Sequence, residues 1–137
     1  MSAHIVPSVA VLGAGYWGKN LIRNFHQLGA LAAICDNNPD SLASFAAHYP
    51  GVPQYLAYGD LLHNDAVQAV AIAAPAETHY ALARQALLAG KDVFVEKPLC
   101  LYAEQAGELI SLAEARQRVL MVGHLLRYHP ACVKLQE

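Results

Sequence analysis

Six residues, Gly13-Ala14-Gly15-Tyr16-Trp17-Gly18, form a GxGxxG string between an apolar run and a stretch of helical periodicity. The chemistry open to such a loop is anion recognition. Backbone N–H groups at a helix N-terminus meet phosphate oxygens at the positive end of the helix dipole, and no lysine is needed. In that arrangement Gly13 serves a tight turn, Gly15 lets the backbone approach a pyrophosphate, and Gly18 lets the helix lie close to the sheet. Asp36 follows Gly15 by about 20 residues, where a carboxylate can accept both hydroxyls of an adenosine ribose. A 2′-phosphate would face that charge, and Asn37-Asn38 supply no arginine, so the pattern favours NAD(H) over NADP(H). Two other readings stay open on these residues. The glycines could serve only a turn while Asp36 caps the next helix, or the loop could be that of a methyltransferase.

A second group of polar residues recurs at similar places. Ala74-Pro75 with His79, Glu96-Lys97-Pro98, and His124 with Arg127 each follow an expected strand. Ligands of open α/β sheets bind beyond the carboxyl ends of the strands, so these segments converge on one rim. Taken singly, each has a plainer reading: a histidine near a helix start, a solvated turn lysine, surface residues. Cys35, Cys100 and Cys132 are far apart and include no CxxC pair. Reduced thiols are expected, with no zinc site or other metal.

The elements that must position these groups alternate regularly. Val9–Leu12, Leu31–Cys35, Val67–Ala73, Asp92–Val95 and Val119–Val122 read as buried strands, with a sixth, short one after Gln54. Helical spacing runs from Tyr16 to Leu28, with Trp17, Leu21, Phe25 and Leu28 as its apolar positions and Gly29 as its stop. Further helices are predicted over Pro39–Tyr49, around Asp60–His63, after Thr78 as far as Gly90, and across Ala103–Arg118. In that last helix Ala106, Leu109, Ile110 and Ala113 are expected on one buried face. Tyr128–Glu137 reads as the start of one more. Strand–helix alternation implies parallel pairing, because each crossover needs a helix to return the chain. The expected fold is a doubly wound α/β domain on a parallel sheet, of the Rossmann type.

Composition sets the outer limits. The 137 residues are 55% hydrophobic and 15% charged, which excludes a disordered chain and predicts a large core. A net charge of −2 with no Lys/Arg cluster argues against nucleic-acid or anionic-membrane partners. The first residues lack the basic and apolar regions of a secretory signal, and the apolar runs are too short to span a bilayer. A cytoplasmic location is expected.

Together, Gly13 to Gly18, Asp36, the Ala73-Ala74-Pro75-x-x-x-His79 segment and Glu96-Lys97-Pro98 resemble the Gfo/Idh/MocA oxidoreductases, over essentially the whole chain. Gly15 to Asn20 and Gly123 to Pro130 further resemble members that oxidise UDP-linked amino sugars at the 3-position. The resemblance implies NAD as cofactor and hydride transfer between nicotinamide and a sugar carbinol carbon. It implies cofactor contacts at Gly13, Gly15, Tyr16, Trp17, Gly18, Asp36, Ala74, Pro75, His79, Glu96 and Lys97. Substrate contacts fall to Lys97, His124 and Arg127, with Lys97 as the catalytic residue. A lysine in a dry cleft gives up its proton more readily, which would suit it to share one with a hydroxyl. The Lys97–Pro98 bond is a candidate for the cis form.

The family also has a C-terminal substrate domain, which carries an acid/base histidine and has no counterpart in these residues. Residues 1–123 would then be the dinucleotide-binding domain and 124–137 the start of a connecting helix. Two function classes remain open: the NAD-binding part of a sugar dehydrogenase, or a non-catalytic dinucleotide-binding or interaction module. Apolar surface left uncovered by a missing domain predicts self-association or a swapped C-terminal helix.

Overall fold

The computed structural model describes residues 5–136. Its centre is a six-stranded, all-parallel sheet in the order β3-β2-β1-β4-β5-β6. The strands are β1 (Val9–Leu12), β2 (Leu31–Cys35), β3 (Gln54–Tyr55), β4 (Ala69–Ile72), β5 (Asp92–Glu96) and β6 (Leu120–Gly123). Between them lie α1 (Gly18–Gln27), α2 (Pro39–Ala46), α3 (Tyr58–Leu62), α4 (His79–Leu88) and α5 (Ala103–Arg116), with α6 (Pro130–Lys134) after the last strand. The expected doubly wound architecture is the one observed.

Both faces of the sheet are buried, so the strands are apolar throughout and do not alternate. On one face Val9, Val11, Ile34 and Ala71 pack with Ile22 of α1 and Leu42 of α2. On the other, Leu12, Val70, Ile72, Val93 and Val95 pack with Leu61 of α3, Ala83 and Leu87 of α4, and Leu109 of α5. Each fully buried aliphatic side chain contributes about 2 kcal/mol. Strand order reverses between β1 and β4, whose paired ends, Leu12 and Ile72, open onto the glycine loop and onto Ala73.

Several local expectations are corrected. In α1 the deeply buried residue is Ile22, with Leu21 and Phe25 packed beside it, while Trp17 and Leu28 are exposed. In α5 the buried face runs through Leu109, Leu112 and Ala113, and Ile110 faces solvent. Continuous helix from Tyr128 does not form. Residues Leu125–Tyr128 make a 3₁₀ turn, and His129 is extended (φ −72°, ψ 133°). The proline that follows clashes with helical backbone at the residue before it, so α6 starts afresh at Pro130. Glu137 lies outside the described residues.

Candidate dinucleotide-binding site

The glycine loop is shaped by two close contacts. Gly13 has φ +97°, and a Cβ there would lie 2.5 Å from the Ala73 carbonyl oxygen. At Gly18 a Cβ would lie 1.6 Å from the Gly13 carbonyl oxygen, because α1 starts directly against the loop. Gly15 differs from both. Apart from its two chain neighbours, no atom of the described residues lies within 4 Å of the Cβ it lacks. Packing therefore demands glycine at 13 and 18, whereas at 15 the open space faces outward from the loop.

The start of α1 is electrostatically unmet. It has no side-chain cap and no acidic residue in its first turn. The N–H groups of Gly15, Tyr16 and Trp17 have no acceptor among the described residues. By contrast α2 begins conventionally, with the Asn38 side chain accepting from Asp40 and Ser41 N–H, Pro39 at the first position and Asp40 in the first turn. An uncapped helix start behind a glycine turn is fitted to an anion.

Asp36, at the end of β2, does not cap α2; Asn38 does. Its Oδ2 accepts from Ala14 N–H at 2.7 Å, and its Oδ1 accepts from Asn38 N–H at 2.8 Å. A carboxylate has about four lone-pair positions, so two remain for a diol. The acid thus braces the loop while keeping its capacity to accept.

Two clefts meet at the point where strand order reverses. One, about 460 Å³, is lined by Gly13, Gly15, Asp36 and Asn37 together with Leu56, Tyr58, Pro75, Thr78 and Leu82. The other, about 370 Å³, is lined by Trp17, Ala76, His79, Glu96, Lys97 and Leu125. Ala73 and Ala74 line both. The two therefore form one trough, with Asp36 at one end and Lys97 at the other. Leu56, Tyr58, Thr78, Leu82 and Leu125 were not foreseen. They come from loops and helix starts whose placement depends on tertiary packing, and no spacing marks them. Tyr58 is fixed by donating its hydroxyl to the Leu82 carbonyl at 3.0 Å, and burial holds its phenol well above the usual range. Beside it the buried Cys35 thiol is pushed up to about 11, mainly by burial and then by the Asp36 and Asp60 charges.

The remaining expected residues fall into distinct situations. Glu96 is buried, and no described residue hydrogen-bonds its carboxylate; a Cβ on Gly123 would lie 3.1 Å from its Oε2, so the acid lies close against that glycine. Lys97 stands exposed at the cleft mouth, not in the dry setting expected of it, because the turn carries it outward. The Lys97–Pro98 bond is cis. His79 is buried and both ring nitrogens are committed, to the Pro98 carbonyl at 2.6 Å and the Ala74 carbonyl at 2.8 Å. It borders the cleft, with its two ring nitrogens turned to those carbonyls. Tyr16 points into solvent with Lys19 Nζ 4.9 Å over its ring, which leaves only its backbone for the loop's ligand. His124 and Arg127 do not join Lys97. They line a separate hollow with Met121, Tyr128 and Gln136, on the outer edge of β6.

With this geometry in view, comparison with known proteins is direct. The family model of the Gfo/Idh/MocA oxidoreductases, NAD-binding Rossmann fold, matches residues 8–124. The UDP-N-acetylglucosamine 3-dehydrogenase of Acidithiobacillus ferrooxidans is 35% identical over 132 residues, covering 93% of this chain and 40% of that protein. A solved structure of the enzyme of that description and organism superposes with a TM-score of 0.86 at 34% identity, over 94% of this chain and 40% of that one. GenD2 from gentamicin A biosynthesis, solved with NAD, gives a TM-score of 0.88 at 30% identity, over 98% of this chain and 39% of that one. The WlbA dehydrogenase of Bordetella pertussis, solved with NADH and UDP-GlcNAcA, gives 0.83 at 26% identity, over 90% and 38%. The chain spans 40% or less of the length of each of these relatives. By sequence, fold and loop geometry alike, the chain belongs to the Gfo/Idh/MocA oxidoreductase family and forms its NAD-binding Rossmann unit.

Proposed function

We propose that this chain is the cofactor-binding part of an NAD-dependent dehydrogenase that oxidises a hydroxyl carbon of a sugar, the substrate class being UDP-linked amino sugars. The observation that carries the reading is the open face of Gly15, set beside Asp36 in a trough that continues past Ala73 and Ala74 to Lys97. When bound, NAD supplies the hydride acceptor. The chain's own residues do the rest. Amides of Gly15, Tyr16 and Trp17 hold the diphosphate, and the free lone pairs of Asp36 accept the adenosine diol. Tyr58, Leu56 and Leu82 offer the apolar wall that a flat purine requires. Glu96 lines the far cleft beside Lys97, whose side chain reaches the substrate hydroxyl and, as the neutral amine, takes up the hydroxyl proton.

The preference for NAD over NADP follows from charge. A 2′-phosphate would meet the Asp36 carboxylate, and neighbouring Asn37 and Asn38 bring no cation to offset it. The UDP-amino-sugar substrate is supported by the relatives named above, one of them a UDP-N-acetylglucosamine 3-dehydrogenase and another solved with UDP-GlcNAcA. We place the boundary of the cofactor unit at Gly123, the end of β6, with residues from 124 onward leading out of it.

The test is calorimetric titration with NADH, NADPH and S-adenosylmethionine in parallel. Tight NADH binding, at least tenfold weaker NADPH binding and no S-adenosylmethionine binding are expected; NADPH binding tighter than NADH overturns the cofactor assignment. NADH production from NAD and UDP-N-acetylhexosamines tests the dehydrogenase step. Binding of NAD without turnover of any such sugar would favour the non-catalytic module.

A further inference from the structure

His79 makes two contacts that lining the cofactor cleft does not explain. It is the first residue of α4 and only 1% exposed. Its Nδ1 lies 2.6 Å from the Pro98 carbonyl oxygen and its Nε2 lies 2.8 Å from the Ala74 carbonyl oxygen. Those two carbonyls belong to different loops, one leaving β4 and one leaving β5. A carbonyl oxygen only accepts, so both contacts are hydrogen bonds when each ring nitrogen carries a proton. No other side chain among the described residues bridges these two loops by hydrogen bonds.

The two loops are the walls of the Lys97 cleft. Ala74 lines it from one side; Pro98 is bonded directly to Lys97, which lines the other, and Glu96 precedes them. The opposite cleft, around Asp36, is bounded by Ala74 but by no residue of the 96–98 turn. The ring therefore spans one half of the trough only.

We propose that His79 is a positioning residue: its two N–H groups clasp the loops after β4 and β5 together and so fix where Lys97 and Glu96 stand. It acts through backbone carbonyls, with its ring bordering the same cleft. The proposal rests on the NAD reading above in one respect, that the half of the cofactor remote from adenosine lies in the Lys97 cleft.

A pair of ligands separates the clasp from that reading. NADH reaches both halves of the trough, whereas ADP-ribose lacks the nicotinamide. The experiment titrates both ligands into the wild-type chain, His79→Phe and His79→Gln. Phenylalanine keeps the ring volume and deletes both nitrogens; glutamine retains donors that reach one carbonyl. The expected result is about tenfold weaker NADH binding by His79→Phe, a smaller loss by His79→Gln, and unchanged ADP-ribose binding by both. Equal losses for the two ligands, or no loss for NADH, overturn the clasp. Failure of the wild-type chain to bind either ligand overturns the NAD reading instead.

A second measurement needs no variant and decides the matter if His79→Phe does not fold. A long-range proton–nitrogen NMR spectrum of the wild-type chain reads the protons on the His79 ring directly. Protons on both nitrogens support the clasp, and a bare nitrogen overturns it.

Discussion

Gly15 separates what the fold needs from what the ligand needs. Its neighbours in the motif are glycines for internal reasons, since a Cβ at 13 or 18 would strike backbone. At 15 a methyl group would enter empty space. Gly15→Ala is therefore expected to leave thermal stability within about 0.5 kcal/mol of the parent. The same change should weaken NADH binding at least tenfold; equal binding by parent and variant would remove the phosphate from this loop. Cys35 gives a prediction of another kind. An exposed thiol in the unfolded chain ionises near 9.0, while the folded one ionises at about 11. The protonated form is thus favoured by folding, and its contribution is intact below pH 9 and lost as pH rises towards 11. Urea midpoints should fall across that window, and less steeply in Cys35→Ala; identical slopes would exclude the thiol as a cause. Some of this scale was readable beforehand. The three glycines and Asp36 carry their roles in type and spacing. The Asp36–Ala14 bond and the Pro98 partner of His79 were not readable, because they depend on where loops 22 and 19 residues away come to lie.

Elements were legible where the apolar pattern had a single solution. Four-to-five-residue apolar runs closed by Gly, Pro or Asp could be little other than strands of a sheet buried on both faces, and β1, β2 and β5 lie where those runs do. The phase of α5 was less determined. Leu109, Ile110, Leu112 and Ala113 are all apolar, so two overlapping stripes satisfy helical spacing, and only docking against α4 and β6 selects between them. The selection predicts a sharp contrast. Leu109→Ala is expected to cost about 3 kcal/mol because it empties a sealed position. Ile110→Ala should change stability by less than about 0.5 kcal/mol. Chemical denaturation of both variants checks the pair, and comparable losses would mean the helix is rotated from the arrangement described. The segment after β6 was misread for a different reason: Leu125 to Tyr128 has helical character, but Pro130 forces His129 out of helical backbone and splits it.

At the scale of the whole molecule, the doubly wound parallel architecture and the convergence of its strand ends were predictable from strand–helix alternation, since parallel crossovers admit few topologies. What the alternation does not specify is which surface is left bare. Leu125, Leu126, Tyr128, Val133 and Leu135 are exposed within one short stretch after β6. Clustered apolar surface of this kind favours association. Sedimentation should show concentration-dependent self-association, reduced by Leu126→Glu combined with Tyr128→Ser; a clean monomer at high concentration would count against it. No helix among the described residues is long and apolar enough to cross a membrane.

One bond has a practical bearing on redesign. Because the carboxylate that would select the dinucleotide also anchors the amide of Ala14, exchanging it for a neutral or basic group does two things at once. It lifts the repulsion towards a phosphorylated ribose and unties the turn that both dinucleotides share. Reprogramming this scaffold for the phosphorylated coenzyme therefore calls for two substitutions, one to welcome the extra charge and one to restore the lost tether.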